Sequence, residues 1–480
     1  MQYTPVSRID KRAEDRRVPR QASRPLQVVS TLAVLGALLL TGLYIVTDRT
    51  ANRVNAQQDG FVTTSPRVSL LSARRAPNTL SVVTRTGRLS RAVADFLPKV
   101  PTQGCVAIDW MGDRIGQMRS DSAFIPASAA KVVVAAVALD VLGPTFTFDT
   151  NVHGTIDANG VVGDLYLVGG GDPVLVRAEY PGTEKYPTTS GTSLESLADA
   201  VVAAGVKQVT GSIVGVDNRY DDKRYVDAWP EEFHSIEAGP LGALMVDDGM
   251  VMGVEMKPDD PAVSAATEFR ILLEARGIGV GGLSRRDISY NNAGSIAKTT
   301  SSPLTAIVSE MLVNSDNNTA ELLVKEIGFA KGGAGTTDAG LKVVMSKLAE
   351  WKLDKDVILF DGSGLASENR LSCDVFMSLL TRFDTTFPSL MAIAGQTGTI
   401  RDAFSDQPLN GILRGKTGTL NGVKSLVGYV PIDNTDPVIF SLMMNKTGID
   451  NKSAYRPVWY ALSDALSRAK ATPRTDQLVP

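Results

Sequence analysis

Residues 126–142 read PASAAKVVVAAVALDVL, a short polar opening followed by an almost unbroken apolar run. A run that is apolar on every side predicts a helix buried in the middle of a domain. Ser128 and Lys131 lie three residues apart at its start, which places both side chains on one helix face. Burial favours the neutral form of a lysine, and a neutral amine can accept the proton of a neighbouring hydroxyl. The segment therefore predicts a serine nucleophile, Ser128, with Lys131 as its base.

The Ser-x-x-Lys pattern alone is a weak signal, because it occurs three times, at Ser128, Ser295 and Ser467. No helical pattern follows Ser295, and Ser467 lies near the end of the chain. Alone, Ser128 would be interpreted as a helix cap beside a solvated lysine. Two later motifs, at residues 315–317 and 416–419, favour a catalytic interpretation because they follow Ser128 in a fixed order.

The second motif is Ser315-Asp316-Asn317, on a predicted turn between two helices. Ser315 can pass a proton between Lys131 and a leaving amine, and Asn317 can hydrogen-bond the backbone of a substrate. The structural alternative is that Ser315 or Asp316 only caps the following helix, a common use of these residue types.

The third motif is Lys416-Thr417-Gly418-Thr419, at the end of a predicted strand. Lys416 and the two threonine hydroxyls can hold a terminal carboxylate, and Gly418 would let a substrate backbone approach the strand closely. Backbone N–H groups of Ser128 and Thr419 can form an oxyanion hole. The alternative is an exposed edge-strand lysine before a hairpin, which Asn-Gly at 421–422 predicts.

The ordered set resembles the low-molecular-weight penicillin-binding proteins, in particular the D-alanyl-D-alanine carboxypeptidase/endopeptidase family with a large insert. Ser128 and Ser315 are 187 residues apart, more than a compact β-lactamase needs. Ala129-Ala130 departs from the family's frequent asparagine but removes no reactive group. Further similar segments within about residues 89–469 are VGGGDP (168–173), DGSGL (361–365), NRLS (369–372), GT (398–399) and GY (428–429).

The resemblance implies an α+β fold of the penicillin-binding/β-lactamase-like transpeptidase type, with a large α/β insert. It implies that Ser128 attacks the carbonyl between two D-alanines of a peptidoglycan stem peptide, and that water then hydrolyses the acyl-enzyme. Endopeptidase cleavage of D-Ala cross-links would use the same groups, and β-lactam antibiotics would acylate Ser128. No cofactor and no metal is expected.

Two rival functions share the motifs. A β-lactamase would turn penicillin over rapidly, but the Glu-x-x-x-Asn spacing of its class A members does not occur between Asn317 and Lys416. A wall-binding scaffold protein with a dead active site would give no penicillin adduct, yet all three motifs are intact.

Composition excludes other classes of function. The 480 residues carry a net charge of −3, so no basic excess points to nucleic acid. The chain has two histidines, His153 and His234, neither in a catalytic motif, and no metal-ligand spacing. Cys105 and Cys373 form either one disulfide or two buried thiols, since sequence alone does not fix pairing.

The amino terminus predicts export. Residues 28–46 form an uncharged apolar run that nearly spans a bilayer, after a basic flank that places the amino terminus in the cytoplasm. The alternative is a signal peptide cleaved near 54–56, which would release a secreted protein. The expected organisation is a cytoplasmic tail (1–27), a transmembrane anchor (28–47), an extracytoplasmic linker (48–88), a catalytic part (89–150), an inserted domain (151–298), a second catalytic part (299–470) and a tail (471–480).

Overall fold

The computed structural model describes residues 77–470 except 252, 291, 292 and 434, with side chains from residue 81 onward. The predicted α+β class is confirmed. The α-helices are α1 (Pro77–Phe96), α2 (Lys131–Val141), α3 (Leu194–Ala203), α4 (Pro261–Glu274), α5 (Leu304–Asn314), α6 (Asn317–Lys331), α7 (Thr337–Glu350), α8 (Cys373–Arg382), α9 (Phe387–Leu390) and α10 (Lys452–Ser467).

Most strands belong to two large sheets. The strands are β1 (Gly104–Trp110), β2 (Asp113–Met118), β3 (Ala123–Phe124), β4 (Asp149–His153), β5 (Val161–Val162), β6 (Leu165–Val168), β7 (Leu175–Val176), β8 (Thr192–Ser193), β9 (Gln208–Val209), β10 (Ile213–Val216), β11 (Gly279–Val280), β12 (Arg285–Asp287), β13 (Ser295–Thr300), β14 (Leu371–Ser372), β15 (Ala392–Ile393), β16 (Arg414–Leu420), β17 (Val423–Ile432) and β18 (Thr435–Asn445).

The main sheet has the order β15-β16-β17-β18-β1-β2, with antiparallel neighbours. Side chains of a strand alternate between its two faces, so each face builds its own core. Ala107 and Val427 lie on the face that packs against α2, α5 and α8. Val106 and Leu442 lie on the other face, against α1 and α10. The sheet is therefore sandwiched between two layers of helices.

Helix α2 is buried as its sequence predicts, with every residue from Lys131 to Leu139 inside the protein. It follows directly from a 3₁₀-helix, Ala127–Ala130, which carries Ser128. The apolar run therefore anchors Lys131, in the first turn of α2, within the core.

Residues 149–300 form a separate mixed sheet of order β12-β10-β6-β4-β13, with α3 and α4 packed on it. The chain enters on β4 and leaves on β13, and Asp149 pairs with Thr300. Glycines of the VGGGDP segment allow close backbone crossings there: a Cβ on Gly170 would lie 2.0 Å from the Asp149 carbonyl oxygen. The domain boundaries given above stay predictions.

The first helix begins inside a segment that the sequence assigned to a linker. Helix α1 begins at Pro77, whereas the linker was predicted over residues 48–88. Residues 82–88 of this helix are partly or fully exposed, so they lack the apolar periodicity that marks a helix in sequence. They continue the helix whose second half buries Leu89, Val93 and Phe96.

The predicted membrane anchor at 28–47 lies outside the described residues. Among the residues that are described, no helix is both long and apolar enough to cross a membrane.

The two cysteines form a disulfide, which settles the alternative left open by the sequence. Cys105 lies on β1 and Cys373 begins α8, and their Cα atoms are 6.1 Å apart. The bond ties the helical layer to the main sheet across 268 residues of sequence.

Candidate active site

The serine and lysine of the first motif are in contact. The Nζ atom of Lys131 lies 3.0 Å from Ser128 Oγ, 2.7 Å from Asn317 Oδ1 and 2.6 Å from the Ser363 carbonyl oxygen. The residue before the serine, Ala127, has a left-handed φ of 48°. Such a conformation costs energy outside glycine and is typical of functional turns, here one that turns Ser128 toward the cleft.

The contacts of Lys131 suit a base. Two of its three partners are carbonyl oxygens, of Asn317 and Ser363, which can only accept hydrogen bonds. A neutral amine that donates both of its hydrogens to them directs its lone pair at Ser128 Oγ. Burial lowers the pKa of Lys131 to about 8, against the opposing effect of the carboxylates of Asp361 and others. About a tenth of the lysine is therefore neutral at pH 7, and about half at pH 8.

The second motif occupies the turn between α5 and α6. Ser315 ends α5 in a left-handed conformation, with φ of 68°, and Asp316 caps α6 by accepting from the Thr319 N–H. The capping interpretation is thus realised by Asp316, and the catalytic roles of Ser315 and Asn317 stay predictions. Asn317 spans the site: its Oδ1 accepts from Lys131, and its Nδ2 donates to the Glu237 carbonyl oxygen at 2.7 Å.

The third motif lies on β16 and reaches the second. Lys416 is fully buried, and its Nζ donates to Ser315 Oγ at 2.8 Å and to the Thr417 carbonyl oxygen at 2.7 Å. Burial lowers the pKa of Lys416 well below its usual range, and the charge of Lys131 adds to this. The exposed edge-strand alternative is wrong for Lys416. The hydroxyl of Thr417 donates to Thr399 Oγ1 at 2.7 Å.

Gly418 has a packing reason for its size, beside the one that the sequence suggests. A Cβ there would lie 2.4 Å from the Pro126 carbonyl oxygen and 3.1 Å from the Ala129 nitrogen. The missing side chain therefore lets β16 pack directly against the 3₁₀-helix that carries Ser128. The approach of a substrate backbone to Gly418 stays a prediction.

These residues border one open cleft of about 460 Å³. Residues 149–300 contribute to its wall, and so does α10. Its lining consists of Ser128, Lys185, Tyr186, Glu237, Asn314, Ser315, Asn317, Leu365, Thr399, Asp402, Ala403, Thr417, Thr419, Lys424, Lys452, Tyr455 and Arg456. The structure thus places Ser128, Ser315, Asn317, Thr417 and Thr419 on the cleft, with Lys131 and Lys416 buried just behind it.

Sequence reasoning missed several participants. The Ser363 carbonyl that holds Lys131 lies in the DGSGL segment, noted only as a family similarity. The Asp361 carboxylate shapes that loop by accepting from the N–H groups of Gly364 and Ala366. Thr399 and Lys424 were also missed, and only the Gly398-Thr399 similarity hinted at the former.

A serine held beside a buried lysine, facing a second serine held by a second lysine, defines an active-site serine enzyme whose base is an amine. Residues 88–259 and 252–461 match the model of the D-Ala-D-Ala carboxypeptidase 3 (S13) family. The chain belongs to this family, and its predicted function as a serine-type D-alanyl-D-alanine carboxypeptidase is confirmed.

Known proteins agree with this assignment. A D-alanyl-D-alanine carboxypeptidase of Actinomadura sp. is 28% identical over 68% of this chain and 75% of its own. Penicillin binding protein 4 of Haemophilus influenzae shares the fold, with a TM-score of 0.63 and 20% identity over 77% of this chain and 99% of that one. A second structure of that protein, complexed with a β-lactam, gives a TM-score of 0.56 and 22% identity over the same shares.

Proposed function

We propose that this carboxypeptidase works through an acyl-enzyme on Ser128. The Ser128 hydroxyl gives its proton to Lys131 Nζ, and Oγ attacks the carbonyl carbon between the last two D-alanines of a peptide. The C–N bond then breaks, the terminal D-alanine leaves as an amine, and Ser128 keeps the acyl group as an ester. Water attacks that ester, releasing the shortened peptide and restoring the hydroxyl.

The observation that carries this proposal is the contact set of Lys131. Its two carbonyl acceptors and its 3.0 Å approach to Ser128 Oγ orient an amine toward one hydroxyl. Burial supplies the second requirement, a pKa near the working pH. Neither requirement is met at Ser295, whose exposed side chain is at the start of β13.

The leaving amine needs a proton, and Ser315 is the proposed donor. Its Oγ is held by Lys416 Nζ at 2.8 Å, so a donated hydrogen bond stabilises the hydroxyl oxygen while its proton moves to the amine. The proton that Lys131 took from Ser128 then replaces the one that Ser315 gave away. Thr419 is the proposed partner of the carboxylate on the leaving residue, since the hydroxyl of Thr417 already donates its hydrogen to Thr399.

The proposed substrates are peptidoglycan stem peptides that end in D-Ala-D-Ala. D-Ala cross-links present the same bond with a larger leaving group, and the open cleft leaves room for endopeptidase cleavage. β-Lactams present a strained amide beside a carboxylate, so we expect them to acylate Ser128. The β-lactam complex of the Haemophilus influenzae protein supports this expectation by fold likeness alone.

The test is release of D-alanine from an acylated peptide ending in D-Ala-D-Ala. Ser128→Ala should abolish release above background, whereas Ser295→Ala, which alters a second Ser-x-x-Lys, should keep full activity. Equal activity of Ser128→Ala and the wild type would contradict the proposal.

We also propose that the catalytic part lies outside the cytoplasm, on a single-pass anchor. The uncharged run at 28–46 and its basic flank support this topology, and the Cys105–Cys373 disulfide suits an oxidising compartment. A protease added to intact spheroplasts should digest the catalytic part, and carbonate washing should leave the full-length chain in the membrane. Complete protection from the protease would contradict this topology, and a soluble chain beginning near residue 57 would indicate signal cleavage instead.

A further inference from the structure

The positive charge that faces the cleft is not the one that the Lys-Thr-Gly motif suggests. Lys416 is fully buried, and its Nζ is committed to Ser315 Oγ and to the Thr417 carbonyl oxygen. It does not border the cleft, whereas Lys424 does. A carboxylate that arrives beside Thr419 would therefore meet Lys424 before Lys416.

Lys424 is held directly behind Thr419. The two residues are register partners on β17 and β16, and Lys424 Nζ donates to Thr419 Oγ1 at 2.7 Å. A hydroxyl has a single hydrogen, and its oxygen here already accepts from a cation. Within the described part of the chain, that hydrogen has no protein acceptor, and Thr419 itself is exposed at the cleft. The contact therefore leaves the Thr419 hydroxyl as a donor for a substrate group.

The surroundings of Lys424 fix its position. Its Nζ lies 4.2 Å from the ring centre of Tyr455 and 5.1 Å from that of Trp459, so two aromatic faces of α10 support the cation. The side chain is buried, with 8% of its surface exposed. A cation that is already desolvated and held still loses little on binding an anion.

The charge of this end of the cleft also favours an anion. The lining includes four cationic side chains, Lys185, Lys424, Lys452 and Arg456, against two acidic ones, Glu237 and Asp402. Three of the four cations belong to β17 and α10, on the side of Thr419. The side chain of Arg456 donates to the Asp402 carbonyl oxygen at 2.9 Å, which places its guanidinium across this end.

We propose that Lys424 is the residue that positions the carboxylate of the leaving D-amino acid, by orienting the Thr419 hydroxyl toward it and by supplying the charge that Lys416 withholds. This inference rests on the proposed acyl-enzyme function. It implies that selectivity for a free carboxyl end depends on β17 and α10 as well as on the third motif.

The test uses two D-alanyl thioesters whose leaving thiols differ only in carrying a carboxylate or a neutral amide. An activated thioester is turned over without a perfect fit, so both can be measured. Lys424→Met should lower kcat/KM for the carboxylate ester by about ten- to a hundredfold, the usual effect of losing a charged hydrogen-bonded pair. The effect should lie mainly in KM, with the neutral ester within about twofold of wild type.

Three further variants keep the result interpretable. Lys424→Gln retains a donor to Thr419 without the charge and should lower kcat/KM by an intermediate amount, again only for the carboxylate ester. This variant replaces Lys424→Met as the test if the methionine variant does not fold. Lys424→Arg should recover most of the discrimination. Lys452→Met, which removes an exposed cation of the same lining, should change the discrimination by less than about threefold.

Equal losses on both esters, or no loss on the carboxylate ester, would overturn the inference. Ser128→Ala separates this failure from failure of the proposed function. If Ser128→Ala is inactive on both esters while Lys424→Met shows no selectivity, the acyl-enzyme account stands and only the role of Lys424 falls.

Discussion

Two sides of the cleft each hold a buried lysine, yet their surroundings differ. On the serine side, defined by Ser128 and α2, Lys131 has two carbonyl acceptors and one hydroxyl. On the strand side, defined by β16 and β17, Lys416 contacts the hydroxyl of Ser315 and a carbonyl of its own motif. In the proposed mechanism, the first set orients an amine to accept a proton, and the second stabilises a hydroxyl that gives one. We therefore infer opposite roles for the same residue type from the different acceptors around it.

Replacing the hydroxyl of Ser315 should distinguish the roles of the two sides most clearly. Because an amine must be protonated to leave and a thiolate need not be, Ser315→Ala should lower peptide turnover by about 10²- to 10⁴-fold. Acylation by the neutral thioester should fall by much less. Stopped-flow acylation with both substrates measures this. Equal losses on the two would mean that Ser315 assists attack rather than departure.

The pH profile should report Lys131. Because its pKa is lowered to about 8, the neutral base forms as pH rises, and acylation by the neutral thioester should increase from pH 6, reach half of its maximum near pH 8 and level off about one unit higher. Asn317→Asp puts a carboxylate against Lys131 Nζ and should move this midpoint upward by one unit or more. Because less of the lysine is then neutral, the acylation rate at pH 7 should fall about tenfold.

The exposed Asn421 provides a control, since Asn421→Asp makes the same charge change in the hairpin and should leave the midpoint in place. An unmoved midpoint in Asn317→Asp would mean that another group sets the profile.

Disturbing the packing contact between β16 and the 3₁₀-helix that carries Ser128 should have the smallest effect. Gly418→Ala pushes a methyl group against the Pro126 carbonyl oxygen, and over-packing of this kind costs about 1–3 kcal/mol of stability. Urea unfolding measures it, with Gly279→Ala, a strand glycine with open space around it, as the control. Unchanged stability with a raised KM would restore the substrate-approach explanation for this glycine.

Much of this site could be predicted because side chains, which the sequence specifies, carry its chemistry. Distinctive spacing marks Ser128, Lys131, Ser315 and Asn317, and the apolar pattern of α2 predicts the burial of Lys131. The fold class followed from the family resemblance that these motifs carry. Asn-Gly at 421–422 does join β16 to β17, and Gly422 has the left-handed φ of 71° that such a turn requires.

The rest could not be predicted for physical reasons. A backbone carbonyl such as that of Ser363 or Glu237 has no signature in sequence, because every residue carries one. Lys424 looks like an ordinary strand lysine until its register with Thr419 is known. The burial of Lys416 and the pairing of the cysteines depend on contacts between distant segments, which a single sequence does not record.

The central claim is that Ser128 is acylated with Lys131 as its base, and one measurement tests it directly. The protein is incubated with benzylpenicillin, and intact mass and peptide mapping are followed over time for the wild type, Ser128→Ala and Lys131→Met. The account predicts a persistent adduct on the peptide containing Ser128, none in Ser128→Ala, and formation at least about a hundredfold slower in Lys131→Met. An adduct on another residue, intact penicillin with no adduct on the wild type, or penicillin consumed without an adduct would contradict it.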